Sequence, residues 1–535
     1  MNTAYTLAQQ TVAPLVFEQV AGTLATFTEE QAAVVEAFLG TDRNLIVKST
    51  AGSGKSTLLK VLATIAPRSP DNAGRMGVFA FNSSIAKELE AKLPRDLIIS
   101  TFHAFGRKLI ERHSSKPIKL VRFKKRNIAQ AYLKGLDETM ATKAHIAGLV
   151  TLAEQMMIYL LPPTQESIDQ LCAELELKFA PEIDVLAAVA HVSAVSLTQY
   201  EQQGWIDYLD MLYIPLKKGY GKGSLKLMLV DEAQDFSKLQ HKLVRHLLAQ
   251  GGRVVYVGDP AQAIYLFTGA DARGLDQAER FFNAMVLHLT YTFRCPKSHV
   301  KLAQQFSEHI RTPELDLKGE AWKEGEVKHL TTEALKDELT SGDLVLSRTN
   351  APIIQLALAL LRKHKDVHIL GVDLKDELGR YFEKTFPQPF VQADIEGRLM
   401  AAYDRMLEER FERGENGKVL ERGAERDADM LSSVGAIALR ACAEKTGACG
   451  VNDLIKVLGE LLKGGENAIN LCTVHKAKGL EADRVAILHP EHLIMPNGNP
   501  EEEQAVSFVA YTRGKKVLML ASDHQEEVEG EEFTA

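Results

Sequence analysis

The sequence predicts an α/β protein with two parallel sheets, each interrupted by a helical insertion. Three observations predict it. Short apolar runs alternate with helical stretches, and each run ends in polar, charged or aromatic residues, as parallel strands with a site at their carboxyl edge do. A glycine-rich loop, Ser49-Thr50-Ala51-Gly52-Ser53-Gly54-Lys55-Ser56-Thr57, lies between the first such run and a helix. The strand rhythm lapses twice into helical text, at 107–204 and at 371–464.

Phe27-Thr28-Glu29-Glu30-Gln31 reads as a helix start with Thr28 as N-cap and Gln31 completing a capping box. Helix capping alone accounts for this pattern; Gln31 also offers an amide able to pair a donor and an acceptor on adenine. The run Asn44–Lys48 is a buried strand and Ser56–Ile65 a helix, so the loop between them opens at a helix N-terminus. Glycines at 52 and 54 let backbone N–H groups turn inward on phosphates, Lys55 reaches the terminal ones, and the Ser56 hydroxyl suits Mg²⁺. Ser49 stands where the consensus G-x-x-x-x-G-K-[ST] has its first glycine. Met76–Ala80 and Leu97–Ser100 are further strands, followed by Phe81-Asn82 and by Thr101-Phe102-His103-Ala104-Phe105. Phe81 and Phe105 suit either core packing or base stacking.

The first insertion opens with Lys116, Lys119, Arg122, Phe123, Lys124, Lys125 and Arg126, which reads as a solvated face or as a phosphate-backbone contact. The strand Lys226–Val230 then ends in Asp231-Glu232-Ala233-Gln234-Asp235. Beside a phosphate loop, Asp231 can hold Mg²⁺ and Glu232 can take a proton from water. Arg253–Val257 runs into Gly258-Asp259-Pro260-Ala261-Gln262, and Met285–Leu289 into Thr290-Tyr291-Thr292-Phe293-Arg294. In the second half Asp343–Ser347, Asp366–Leu370, Ala468–Cys472, Arg484–Leu488 and Lys516–Leu520 are strand-like, and Glu501–Thr512 reads as a helix.

Composition sets limits. A chain of 535 residues exceeds one ordinary core and suggests about three or four units. Hydrophobic residues at 45% and charged residues at 25% give a soluble globular balance. No apolar run is long enough for a bilayer, and Met1–Gln10 lacks a basic segment followed by an apolar one, so a cytoplasmic protein without membrane contact is expected. Cys172, Cys295, Cys442, Cys449 and Cys472 are scattered and read as reduced thiols. A net charge of −8 argues against coating nucleic acid by overall field, while leaving room for a local basic groove. The acidic tail at 522–535 reads as solvated.

Taken in order, these segments resemble the superfamily-one helicases of the UvrD/Rep/PcrA group, including the F-box helicases and compact phage relatives. The resemblance runs through Gln31, the P-loop, Phe79-Ala80-Phe81-Asn82, Thr101-Phe102-His103, Asp231–Asp235, Gly258–Gln262 and Phe293-Arg294. It continues through Leu346-Ser347-Arg348-Thr349-Asn350, Ile469–Glu481 and Val509–Lys516. It implies two RecA-like P-loop motor domains. The first comprises 1–106 and 205–297 around the insertion 107–204; the second comprises 298–370 and 465–521 around a small accessory insertion at 371–464.

The resemblance also implies roles. ATP and Mg²⁺ are the expected cofactors, with Lys55, Ser56 and Asp231 on phosphates and metal, Glu232 as base, Gln262 as γ-phosphate sensor, and Arg294 and Arg513 as cationic fingers. Phe293 is placed on adenine, with Gly479 and Glu481 on the nucleotide side and Glu481 at the ribose. Thr57 stands where the family often has a basic residue. Phe81, Asn82, Thr101, His103, Tyr265, Phe267, Arg348, Thr473 and His475 form the expected single-strand track, held by backbone contacts and base stacking.

The expected function is an ATP-dependent DNA helicase or translocase, and the resemblance alone implies 3′ to 5′ polarity. Its expected partners are single-stranded and partially duplex DNA and proteins of repair, replication, recombination or phage processes. An ATP-gated single-strand-binding switch without processive unwinding is the alternative. A helicase-nuclease would need an appended domain or a metal-nuclease carboxylate cluster, and neither is visible in the sequence.

Overall fold

The computed structural model describes residues 3–523 apart from 70–72, 81, 267–272, 317, 372, 413–416, 444, 446, 466 and 497. Phe81, Phe267 and the acidic residues from Glu526 to Glu532 lie outside the described residues. The chain divides into two compact units, Met1–Tyr291 and Thr292–Ala535. No helix among the described residues is long and apolar enough to cross a membrane.

The first unit contains β1 (Leu45–Ser49), β2 (Met76–Phe79), β3 (Ile98–Ser100), β4 (Lys119–Leu120), β5 (Trp205–Ile206), β6 (Leu225–Val230), β7 (Leu248–Gly258) and β8 (Met285–Leu289). Its main sheet has the order β3-β2-β6-β7-β1-β8 and is parallel throughout. Helices cover both faces, which is why the strands read as near-continuous apolar runs. Alternation along β1 sends Leu45 and Val47 into one core cluster with Leu58, Leu62 and Val255, and Ile46 into another with Phe79, Met228 and Tyr256.

The first insertion is attached through β4 and β5, which pair in parallel with Lys119 opposite Trp205 and Leu120 opposite Ile206. Its helices Lys124–Leu136, Lys143–Tyr159, Gln165–Glu174 and Val185–Gln203 close over a core of their own, including Ile128, Leu133, Leu149, Leu152, Ile168 and Val192. The basic stretch is divided by burial. Lys124 and Lys125 are buried and paired, Lys124 with Asp210 at 2.7 Å and Lys125 with Asp207 at 2.5 Å. These two lysines are therefore structural rather than contacts to a phosphate backbone. Lys116, Lys119, Arg122 and Arg126 stay exposed, and Phe123 is 56% exposed beside the Arg122 guanidinium.

The second unit contains β9 (Glu326–Thr331), β10 (Leu344–Ser347), β11 (Val367–Ile369), β12 (Ile469–Thr473), β13 (Ala482–Leu488) and β14 (Gly514–Ser522), in the parallel order β11-β12-β10-β13-β14-β9. The second insertion contributes the helices Asp373–Thr385, Ile395–Glu412, Gly417–Ala443 and Val451–Leu461. Phe382, Met430, Val434 and Leu454 from these helices share one core cluster with Val345, Ile354 and Leu471 of the sheet layer. Asp429 also accepts the Asn350 and Ala351 N–H groups at 3.0 and 2.8 Å, capping the helix Asn350–Arg362 from within the insertion.

Candidate ATP and nucleic-acid site

The phosphate loop leaves the carboxyl end of β1 and is pinned on both sides. Thr50 N–H donates to the Leu289 carbonyl at 2.9 Å, and the Ser49 hydroxyl donates to the Gly258 carbonyl at 2.8 Å. Serine at the consensus glycine position thus ties the loop to the end of β7. Gly52 and Gly54 have φ of +71° and +82°, and a Cβ on Gly54 would lie 2.8 Å from Gln31 Nε2, so that position excludes side chains twice over. Thr50 Oγ1 and Ser53 Oγ are buried without a hydrogen-bond partner among the described residues. Orphaned hydroxyls in a loop of turned-in N–H groups, at the start of the helix Lys55–Ile65, fit a phosphate. Ser56 and Thr57 are exposed on the first turn.

Gln31 forms the capping box: its N–H donates to Thr28 Oγ1 at 3.2 Å, and its Oε1 accepts Thr28 N–H at 3.1 Å. Its Nε2 donates to the Ser53 carbonyl at 3.0 Å. These bonds use one acceptor site and one donor of the amide, leaving one of each for an adenine edge.

At the carboxyl end of β6, Asp231 is buried and its Oδ1 accepts Glu232 N–H at 3.0 Å. Glu232 takes a left-handed φ of +51°, costly for a residue with a Cβ, and its Oε1 lies 3.4 Å from Lys55 Nζ. Gln234 Nε2 donates to Glu232 Oε2 at 2.5 Å, while Gln234 Oε1 accepts Asp259 N–H at 3.0 Å. Gln262 Nε2 in turn donates to Asp259 Oδ2 at 2.5 Å. One polar chain therefore joins the P-loop lysine to the ends of β6 and β7. Burial pushes the Asp259 carboxyl up, against the pull of Lys55. Gln234 is the link that residue-by-residue reading gave no role; a Cβ on Gly258 would lie 2.5 Å from its Oε1.

Tyr265 is half-buried, and its phenol is pushed up to about 12 by burial and by the carboxylates of Asp235 and Glu232, which places it beside the acidic cluster. Asn82 Oδ1 and Thr101 Oγ1 cap the helices Ser83–Lys92 and Phe102–His113, accepting Ile85 N–H at 2.9 Å and Ala104 N–H at 3.2 Å. His103 is exposed on the first turn of the latter helix, and Phe105 is core, packed against Phe79.

In the second unit, Arg294 Nε donates to Glu481 Oε2 at 2.7 Å, and Lys515 Nζ lies 2.6 Å from Glu481 Oε1. Burial alone would raise the Glu481 carboxyl, but Lys515 and Arg294 outweigh it and hold it below the usual range. These bonds group Arg294 with the second unit, whereas the sequence reading places the boundary after 297. Arg513 is 1% exposed and donates to the Val509 and Leu480 carbonyls at 2.9 and 3.4 Å. Phe293 meets Trp322 edge to face at 6.3 Å, and Gly479 has φ of +88°.

Arg348 makes a two-pronged bond to Glu503, at 3.1 and 2.7 Å. Glu503 is 3% exposed and also accepts Met495 N–H at 3.2 Å. Burial, then the Arg348 charge, pushes His475 down to about 4. Thr473 ends β12, where its carbonyl accepts Lys476 N–H at 2.9 Å. Glu503 gave no signal of its own in the sequence, being one of three successive glutamates.

The model of the UvrD/REP helicase N-terminal domain matches residues 27–283, and that of the UvrD-like helicase C-terminal domain matches 451–525. The chain belongs to the UvrD-like superfamily-one helicases. Its parallel sheets are those of the family's two RecA-like motor domains. It is similar to F-box DNA helicase protein 1 of Schizosaccharomyces pombe, 26% identical over 532 residues, covering 92% of this chain and 57% of that protein. It is similar to ATP-dependent DNA helicase Rep of Escherichia coli, 25% identical over 281 residues, covering 48% of this chain and 40% of Rep. A shorter match, 43% identical over 81 residues, is to ATP-dependent DNA helicase srs2 of S. pombe, covering 15% of this chain and 9% of that protein. The chain thus spans little more than half of its F-box relative and less of the others. UvrD-like helicases use ATP with Mg²⁺.

Proposed function

We propose that this chain is an ATP-driven DNA helicase or single-strand translocase, moving 3′ to 5′ and displacing the complementary strand. The observation that carries the reading is the polar chain from Lys55 through Glu232, Gln234 and Asp259 to Gln262. It joins a phosphate-cradling loop to a carboxylate pair at the carboxyl edge of a parallel sheet, as phosphoryl transfer to water requires. Lys55 and the P-loop amides hold the phosphates, and Glu232 takes the proton from the attacking water. Ser56 and Asp231 would hold Mg²⁺, which supplies charge neutralisation on the β and γ oxygens. Gln262 reports on the γ-phosphate through Asp259 and Gln234. Phe293 and Gln31 serve the base, Gly479 and Glu481 the ribose side, and Arg294 and Arg513 act as cationic fingers.

On the DNA side, Tyr265 sits beside the acidic cluster, so a base stacked on it would respond to changes there. His103 is exposed for contact, and Arg348, Thr473 and His475 lie together at the carboxyl edge of the second sheet, with Glu503 fixing the Arg348 guanidinium. Single-stranded and partially duplex DNA are the proposed partners, with proteins of repair, replication, recombination or phage processes. One observation favours a second reading, an ATP-gated binding switch: among the described residues the second insertion shares its larger core with the sheet and keeps only a small cluster around Ala402, Met406 and Leu431 to itself, which ill suits it to move as a separate body.

ATP hydrolysis with and without single-stranded DNA, followed by displacement from 3′-tailed and 5′-tailed duplexes, tests the proposal. Lys55→Ala and Glu232→Gln are expected to lower turnover by about 10²-fold or more while single-strand binding persists. Turnover retained in both variants would overturn the site. Stimulation without displacement selects the switch, and absence of stimulation would sink the DNA track.

A further inference from the structure

β13 ends in a tight corner. His489 has φ of +51°, and Pro490–His492 follows as a single 3₁₀ turn. Three residues per turn eclipses positions i and i+3, and the His489 and His492 rings accordingly stack at 5.5 Å and 25°. Glu491 completes the group: His489, Glu491 and His492 each bring one ligand atom to within 4.8 Å of the others. The corner is braced against the end of β14. His489 N–H donates to the Ala521 carbonyl at 2.7 Å, and the Ser522 hydroxyl donates to Glu491 Oε2 at 2.8 Å. Beyond β14, Asp523 Oδ2 lies 4.0 Å from His489 Nε2.

A surface histidine paired with a glutamate accounts for one of these contacts, His489 Nδ1 with Glu491 Oε1 at 3.3 Å. It does not account for a second imidazole stacked on the first beside the same carboxylate. We propose that His489, Glu491 and His492 form a binding site for a divalent transition metal of the zinc class. Two nitrogens and one oxygen are a borderline donor set suited to Zn²⁺, whereas Mg²⁺ takes oxygen, so the site is chemically unlike the one at Ser56 and Asp231. Ligand atoms about 2.0–2.1 Å from a tetrahedral ion lie roughly 3.3 Å apart. The closure this needs is of the order of an ångström, within reach of side chains on an open turn. If Nδ1 of His489 ligates, its Nε2–H faces Asp523, the carboxylate–histidine–metal arrangement that orients such rings. The bound ion would clamp the corner after β13 to the end of β14, within the unit that carries Arg513.

The test is a titration of the untagged, chelator-stripped full chain with Co²⁺ and then Zn²⁺, without nucleotide. The expected result is one equivalent bound, the visible d–d absorption of a tetrahedral nitrogen/oxygen site, and a melting transition of the second unit raised by several degrees. Asp523→Asn is expected to weaken binding by about 10-fold or more, and His489→Ala with His492→Ala to abolish it while basal ATP hydrolysis is unchanged. No equivalent bound at micromolar metal would overturn the proposal. So would a thiolate charge-transfer band, which would assign the metal to cysteines such as Cys442 and Cys449, or undiminished binding by the double variant.

Discussion

The two insertions look alike as sequence, both charged and helical, yet they are buried in opposite ways. The helices between β4 and β5 pack on one another around Leu149, Leu152 and Val192, a core separate from both faces of the first sheet. The helices between β11 and β12 keep only a small cluster around Ala402, Met406 and Leu431 to themselves. Met430, Val434 and Leu454 complete the layer that also contains Ile354 and Leu471, and Asp429 caps a helix belonging to the sheet. An insertion with its own core can open or shift while the sheet stays covered. One that lends its apolar face to the sheet cannot leave without exposing it.

The largest expected effect tests the independence of the first insertion. Lys124→Met takes from the buried Asp210 its hydrogen-bonded lysine, leaving Lys125 at 4.0 Å, and should cost about 3–5 kcal/mol. Hydrogen exchange should show the loss concentrated in the helices between Lys124 and Gln203 and in the helix Asp210–Lys218 that Asp210 opens, with P-loop protection unchanged; equal loss at Leu58 and Leu62 would erase the distinction. Next is acid, which acts on the second unit. His475 titrates near 4 when folded and near 6.5 when unfolded, so the unfolded chain takes the proton first. Its contribution is complete above the unfolded value and is lost as pH falls from about 6.5 towards 4, a total of roughly 3 kcal/mol. Denaturant midpoints of the second unit at both ends of that range should differ accordingly, and His475→Gln should flatten the difference. The smallest effect is the most pointed. Asp429→Ala removes the two carboxylate oxygens that accept the Asn350 and Ala351 N–H groups and should cost about 1–2 kcal/mol, lowering the melting of the whole second unit. Fraying limited to the insertion's helices would show that the shared core does not couple them.

Much of the architecture was legible because parallel strands covered on both faces must be apolar along their length. Met285–Leu289 was read to the residue, and β1, β2, β6 and β10 to within one. β9 was not read at all. Glu-Val-Lys-His-Leu-Thr is a half-exposed edge strand, paired with β14 alone, so it carries no continuous apolar run. The basic stretch was ambiguous for a different reason. What buries Lys124 and Lys125 are aspartates more than eighty residues away, and sequence proximity carries no sign of them. Ordered motifs located the P-loop and the Asp231-Glu232 pair, but not the linking roles of Gln234 and Glu503. Those roles exist only once β6 lies beside β7 and the helix Pro500–Tyr511 lies beside the end of β10.

The pairing of β4 with β5 has an evolutionary side. Adjacent strands lie about 4.8 Å apart, so the chain leaves and rejoins the first motor domain at nearly the same point. A segment so attached can be lengthened, replaced or transplanted between relatives with little change to the ATP sheet, provided the new piece keeps two short strands at its base and cationic partners for Asp207 and Asp210. Lineages can then diverge in this segment while inheriting the sheet unaltered.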